Sequence, residues 1–188
     1  MNLTEHSIAL ISVIVGMGLS QLLSDFNGLI HARSNVRWHP LPLVWGVLTL
    51  TMITNYWWIL YKGVTAAVAS ANAAEFSLHM VLPILLYLIC AAALPTINSD
   101  QKVDLLDDYM QTARYYFSLI FIYLIVATTE VIYKAGGEFT LDKANIARTV
   151  LFILVAPLIY TRSLRYHWVV TGFIVINVIW RLSTQLIR

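Results

Sequence analysis

The sequence predicts an all-α membrane protein, a polytopic transmembrane helical bundle of about six spans in one domain over residues 1–188. Three observations carry that reading. The chain is 59% hydrophobic and only 12% charged, with a mean hydropathy of +0.73, whereas soluble domains carry roughly 25% charged residues. Apolar runs near the roughly 20 residues that a crossing needs recur along it, separated by short polar turns. The first run also places small residues at every fourth position, Ser12, Gly16, Ser20, Ser24 and Gly28, the spacing of a helix-packing groove in lipid. The net charge of +2 is small and dispersed, which argues against a nucleic-acid partner. A single cysteine, Cys90, allows no intramolecular disulfide.

The first span covers about 7–31. Ile8, Ile11, Val15, Leu19, Leu22, Phe26 and Leu29 gather opposite the small-residue ladder and form its expected lipid face. Gln21 and Asp25 lie one turn apart on the protein-facing side, with Arg33 or Arg37 as expected partners for Asp25. Residues Met1 to His6 lack a basic leader, so this run reads as an uncleaved span rather than a signal peptide. A second span, 41–62, opens with Pro40 and Pro42 in its first turn, where a missing N–H is harmless, and closes on Tyr56, Trp57, Trp58 and Tyr61, an interfacial aromatic belt.

A polar, alanine-rich loop leads to the third span, 76–94, with Pro83 inside it as an expected kink. Residues 99–114 form the longest hydrophilic stretch, with Asp100, Asp104, Asp107 and Asp108 between Val103, Leu106 and Met110. This is an amphipathic surface segment feeding the fourth span, 115–134. Gly136-Gly137 marks a turn. The fifth span, 146–160, is short for a full crossing, and a basic turn precedes the sixth, 167–187.

Six spans put both termini on one side. Arg33, Arg37, Lys102, Arg114, Arg162 and Arg165 then share one face, against Lys62, Lys134, Lys143, Arg148, Arg181 and Arg188 on the other. The count is even. The first helix has no Lys or Arg before it and two just after, which favours termini outside and the basic turns in the cytoplasm.

The run Ile11-Ser12-Val13-Ile14-Val15-Gly16-Met17-Gly18-Leu19-Ser20-Gln21-Leu22-Leu23 resembles the opening of a group of uncharacterised bacterial integral membrane proteins near this length. Val36-Arg37-Trp38-His39, Trp57-Trp58, and Val103-Asp104-Leu105 leading to Tyr115-Tyr116-Phe117 are similar to the same group. The resemblance implies a bacterial inner-membrane protein and carries no activity.

Alternation of direction brings His6, Asn55, His79, Glu130, Arg148, Asn177 and Arg181 toward one membrane face. Glu130, Arg148 and Arg181 are the ionisable residues within apolar spans there, and such residues generally face the bundle interior and pair. Asn177 and Arg181 share a face of the sixth helix, and Tyr116, Tyr123, Ala127 and Glu130 form a stripe on the fourth. One reading is a polar vestibule on an ion or ligand pathway, with Glu130 as cation or proton site and Arg181 as its nearest counter-charge. The other is a structural ion pair whose long side chains snorkel to water. At the opposite face, the triplets Arg37-Trp38-His39 and Arg165-Tyr166-His167 either bind a lipid head group or another anion, or are ordinary positive-inside anchors.

His6 and His79 are poor haem ligands because neither lies deep in its span. Asp100, Asp104 and Asp108 read as a solvated face rather than a cation site. No HExxH, GxSxG or phosphate loop occurs, so no cofactor or metal is expected. Three functions are carried forward: movement of an ion or small solute, as a homo-oligomer among membrane lipids; a non-catalytic sensor or interaction subunit; and an intramembrane enzyme.

Overall fold

A computed structural model describes residues 3–67, 73–97, 102–134 and 143–186. Among these, six helices follow one another: α1 (Leu3–His31), α2 (Pro40–Ala67), α3 (Ala73–Ala93), α4 (Leu105–Lys134), α5 (Lys143–Val155) and α6 (Leu164–Leu186). Two-residue strands β1 (Val36–Arg37) and β2 (Val103–Asp104) interrupt them, and a 3₁₀ turn, Ala156–Ile159, follows α5. The protein is all-helical, and two of its helices, over Ile8–His31 and Leu105–Tyr133, are long and apolar enough to cross a membrane. Only 28% and 22% of their apolar windows are buried, unlike the core helix of a soluble domain. At 13 residues, α5 spans about 20 Å, short of a hydrocarbon core of roughly 30 Å.

The packing centre is α3. Leu82, Pro83, Leu85, Leu86, Ile89, Cys90 and Ala93 are all buried, and the helix touches α1, α2 and α4. It runs without interruption through Pro83. The most extensive seam joins α3 to α1, and there the face of α1 is the reverse of the sequence expectation. Ile11, Val15, Leu22, Asp25 and Leu29 are buried with Gly18 between them, while Gly16, Ser20 and Ser24 are exposed. A Cβ on Gly16 would meet nothing within 4 Å. One on Gly18 would stand 3.2 Å from the Tyr87 Cα and 3.2 Å from Ile53 Cδ1, so this glycine permits the close approach of two backbones. Of the ladder, Ser12 is half-buried, and Gly28 approaches a neighbouring segment with its Cβ position 3.9 Å from the Ile97 carbonyl. Both faces of α1 are apolar, so hydrophobicity alone does not tell the packed face from the exposed one.

Residues 105–114 are not a separate surface segment but the first turns of α4, which continues unbroken to Lys134. Asp104 is the reason for that start. Its Oδ1 accepts the backbone N–H groups of Leu106 (3.0 Å) and Asp107 (3.2 Å), the geometry of an N-cap. Asp107 and Asp108 then lie in the first turn, where negative charge complements the helix dipole. Asp100, the Gly136-Gly137 turn, and the side chains of His6 and His79 lie outside the described residues.

Candidate functional site

Strands β1 and β2 pair in parallel, Val36 with Val103 and Arg37 with Asp104. This bridge ties the α1–α2 junction to the α3–α4 junction. Arg37 Nη1 donates to Asp104 Oδ2 at 3.0 Å, so the carboxylate that caps α4 also holds the neighbouring junction. The Asp107 N–H, aided by the Leu106 N–H and Arg37 and opposed by partial burial, holds the Asp104 carboxyl below its usual range. Arg37 is therefore a bridge to Asp104 rather than a partner for Asp25. Asp25 is 3% exposed and accepts from Gln21 Nε2 (3.0 and 3.1 Å) and Thr96 Oγ1 (2.9 Å) instead.

The two Arg-aromatic-His triplets meet at this end. His39 Nδ1 accepts the Leu41 N–H at 3.3 Å, capping α2 above Pro40, and its ring lies 6.1 Å from that of Trp168. Arg165 is exposed. His167 turns inward and is fully buried. Its Nε2 is 2.9 Å from the Thr161 carbonyl, which can only accept, so the proton is on Nε2. Nδ1 then accepts from the Tyr109 hydroxyl at 2.8 Å. With both nitrogens engaged inside the protein, His167 does not reach a lipid head group.

Beside His167 a cluster of rings centres on Phe117. Phe117, fully buried, meets Trp45, Tyr109, Tyr116 and His167 edge-on at centroid separations of 4.8 to 6.2 Å. Tyr116 and Thr49 share a hydroxyl–hydroxyl hydrogen bond of 2.7 Å between α4 and α2. Trp45 is buried and meets Phe117 and Tyr116 edge-on.

Down α4, Tyr109, Tyr116, Tyr123 and Glu130 recur every seventh residue and so keep to one side of the helix. Tyr56 of α2 lies within electrostatic reach of Tyr123 and Glu130. The stripe runs about 30 Å, close to the hydrocarbon thickness of a bilayer. Sequence reasoning found its lower part, Tyr116 to Glu130, and missed Tyr109, Thr49 and Trp45, whose roles depend on contacts between distant segments.

The remaining expected site residues do not form one enclosed group. Glu130 is half-buried, whereas Asn55, Asn177 and Arg181 are exposed. Arg148 is half-buried and donates to the Asn145 side chain one turn earlier on α5. Among the described residues no cluster of His, Cys, Asp or Glu is arranged to hold a metal. No protein family, curated protein or solved structure matches this chain.

Proposed function

We propose that this is a multi-pass membrane protein that moves protons, or another small cation, along the α2–α4 seam. One observation carries the proposal: an apolar helix long enough to cross a bilayer bears Tyr109, Tyr116, Tyr123 and Glu130 on a single stripe. Membrane placement rests on the exterior. Val13, Met17, Val47, Ile122, Ile153, Val169 and Ile176 are all exposed, more apolar surface than a soluble monomer leaves uncovered. The hydroxyls of Thr54, Ser118 and Thr129 donate to carbonyls four residues earlier in their own helices, a way to satisfy polar groups without water. The basic end, with Arg33, Arg37, Lys102, Arg114, Arg162 and Arg165, faces the cytoplasm under this proposal.

Glu130 is the ionisable group at the far end, His167 the one at the basic end, and tyrosine hydroxyls stand between. Successive rungs are about 10 Å apart along the axis, so transfer between them runs through intervening water. The same proposal includes a homo-oligomer, in which a second copy completes the path.

The buried aromatic cluster around Phe117 favours a second reading, a membrane interaction subunit with no flux. Reconstitution separates them. Liposomes carrying the protein and a trapped pH dye should acidify under an imposed potential. Glu130→Gln should abolish the signal with helicity unchanged, and Tyr116→Phe should slow it. Wild-type liposomes as tight as protein-free ones, or full flux through the Glu130 variant, would overturn the proposal.

A further inference from the structure

A cavity of about 220 Å³ opens at the basic end between α4 and the turn that joins α5 to α6. Its lining mixes two chemistries: Met110, Ala113, Leu158 and Ile159 are apolar, and Gln111, Arg114 and Arg162 polar. No carboxylate lines it. Neither arginine makes an ion pair with a carboxylate among the described residues. Asp107, two turns before Arg114 on α4, accepts from Gln111 Nε2 at 2.8 Å. The Arg114 guanidinium lies 5.8 Å from the centre of the Tyr160 ring, a cation–π contact that orients it at the cavity rim.

Two exposed guanidinium groups share this opening with no carboxylate partner among the described residues, and their planar forks match phosphate oxygens. The apolar lining matters equally. A ligand that satisfies both chemistries has a phosphate head and a hydrocarbon body. The position agrees, because Arg114 stands where the polar first turns of α4 give way to the apolar run from Tyr115 onward. The rim residue Tyr160 is 77% exposed, as an interfacial aromatic would be.

We infer that the cavity between α4 and the α5–α6 turn binds a phosphate-bearing anion through Arg114 and Arg162, with an acidic phospholipid as the form that satisfies both chemistries. This site is distinct from the Arg-aromatic-His triplets. It rests on the membrane placement argued above and not on ion movement, so loss of the flux reading leaves it standing.

The test titrates purified full-length protein in detergent with phosphatidylglycerol and, separately, phosphatidylcholine, and reads bound lipid by native mass spectrometry. Phosphatidylglycerol should bind at least about tenfold more tightly, since each basic residue near an anionic head group contributes about 1 kcal/mol. The double variant Arg114→Gln/Arg162→Gln should lose that preference while keeping wild-type helicity and unfolding temperature. Arg33→Gln, an exposed charge at the same end but away from the cavity, should keep it. Displacement of phosphatidylglycerol by excess inorganic phosphate, dependent on both arginines, would assign the site to the phosphate group itself. Failure to displace, with the preference intact, would assign it to the whole lipid. Equal binding of the two lipids, or equal losses in the Arg33 and Arg114/Arg162 variants, would overturn the inference.

Discussion

The two faces of α1 are nearly alike in sequence and opposite in circumstance. One presents Ile11, Val15, Gly18, Leu22, Asp25 and Leu29 to the interior, and Gly18 lies so close to α3 that a single added carbon has 3.2 Å of room. The other presents Val13, Gly16, Met17, Ser20 and Ser24 outward, with open space at Gly16. Each face has small residues and aliphatic ones. What separates them is the partner: Tyr87 and Cys90 from α3 and Ile53 from α2 fit against Gly18, and nothing among the described residues fits against Gly16. Where both faces of a helix are apolar, contact rather than hydrophobicity decides which side is inside.

The largest effect expected from breaking this contrast is at Gly18. Gly18→Leu drives a branched side chain into the Tyr87 backbone and should cost about 3 kcal/mol or more, read as a lowered unfolding temperature in detergent. An unchanged transition would mean that α1 and α3 are not closely packed there.

A smaller effect is expected where the structure is closed by polar contacts instead. Asp104 caps α4 and bridges to Arg37, and its carboxyl titrates below the usual value of about 3.9. A carboxylate whose native value is depressed contributes its full stability above the unfolded value and loses it as pH falls through the native one. Acid titration should therefore loosen the β1–β2 junction only below about pH 4, followed by hydrogen exchange at Val36 and Leu106. Asp104→Asn keeps a capping oxygen but removes the charge, so it should weaken the junction at neutral pH and flatten the acid dependence. A variant with the wild-type acid profile would remove Asp104 as its source. The smallest effect belongs to the exposed face, where Gly16→Leu should change stability by no more than about 0.5 kcal/mol.

Much of the helical order was legible, because each break is written in the chain as proline, a basic turn or a polar stretch. Pro40, the turn over 161–165 and the apolar runs mark five of the six helices to within about five residues at each end, while the start of α4 at Leu105 lies ten residues ahead of the expected 115. The start of α4 was also legible in principle: Asp104 with Asp107 three places on is a helix-opening signal ahead of an apolar run. Reading the aspartates as one acidic face hid it. The rest depended on tertiary contacts. Tyr109 and His167 are 58 residues apart, and neither residue alone announces that the imidazole turns inward. Thr96 reaches Asp25 across 71 residues, so local spacing pointed to Arg33 or Arg37 instead. Two-residue strands such as β1 and β2 leave no periodic signal at all.

The most direct test of this packing, and of the membrane placement proposed for it, is a nitroxide scan of α1. Single cysteines from Leu10 to Ile30 in lipid bilayers, with buried Cys90 left in place, report access of oxygen from the hydrocarbon and of a water-soluble nickel complex. Oxygen access should rise at Val13, Met17, Ser20 and Ser24 and fall at Ile11, Val15, Gly18 and Leu22, while the nickel complex reaches none of the central positions. Maxima at Val15 and Leu22 with minima at Gly16 and Ser20, or nickel access along the whole outer face, would contradict the packing and the membrane placement described for this helix.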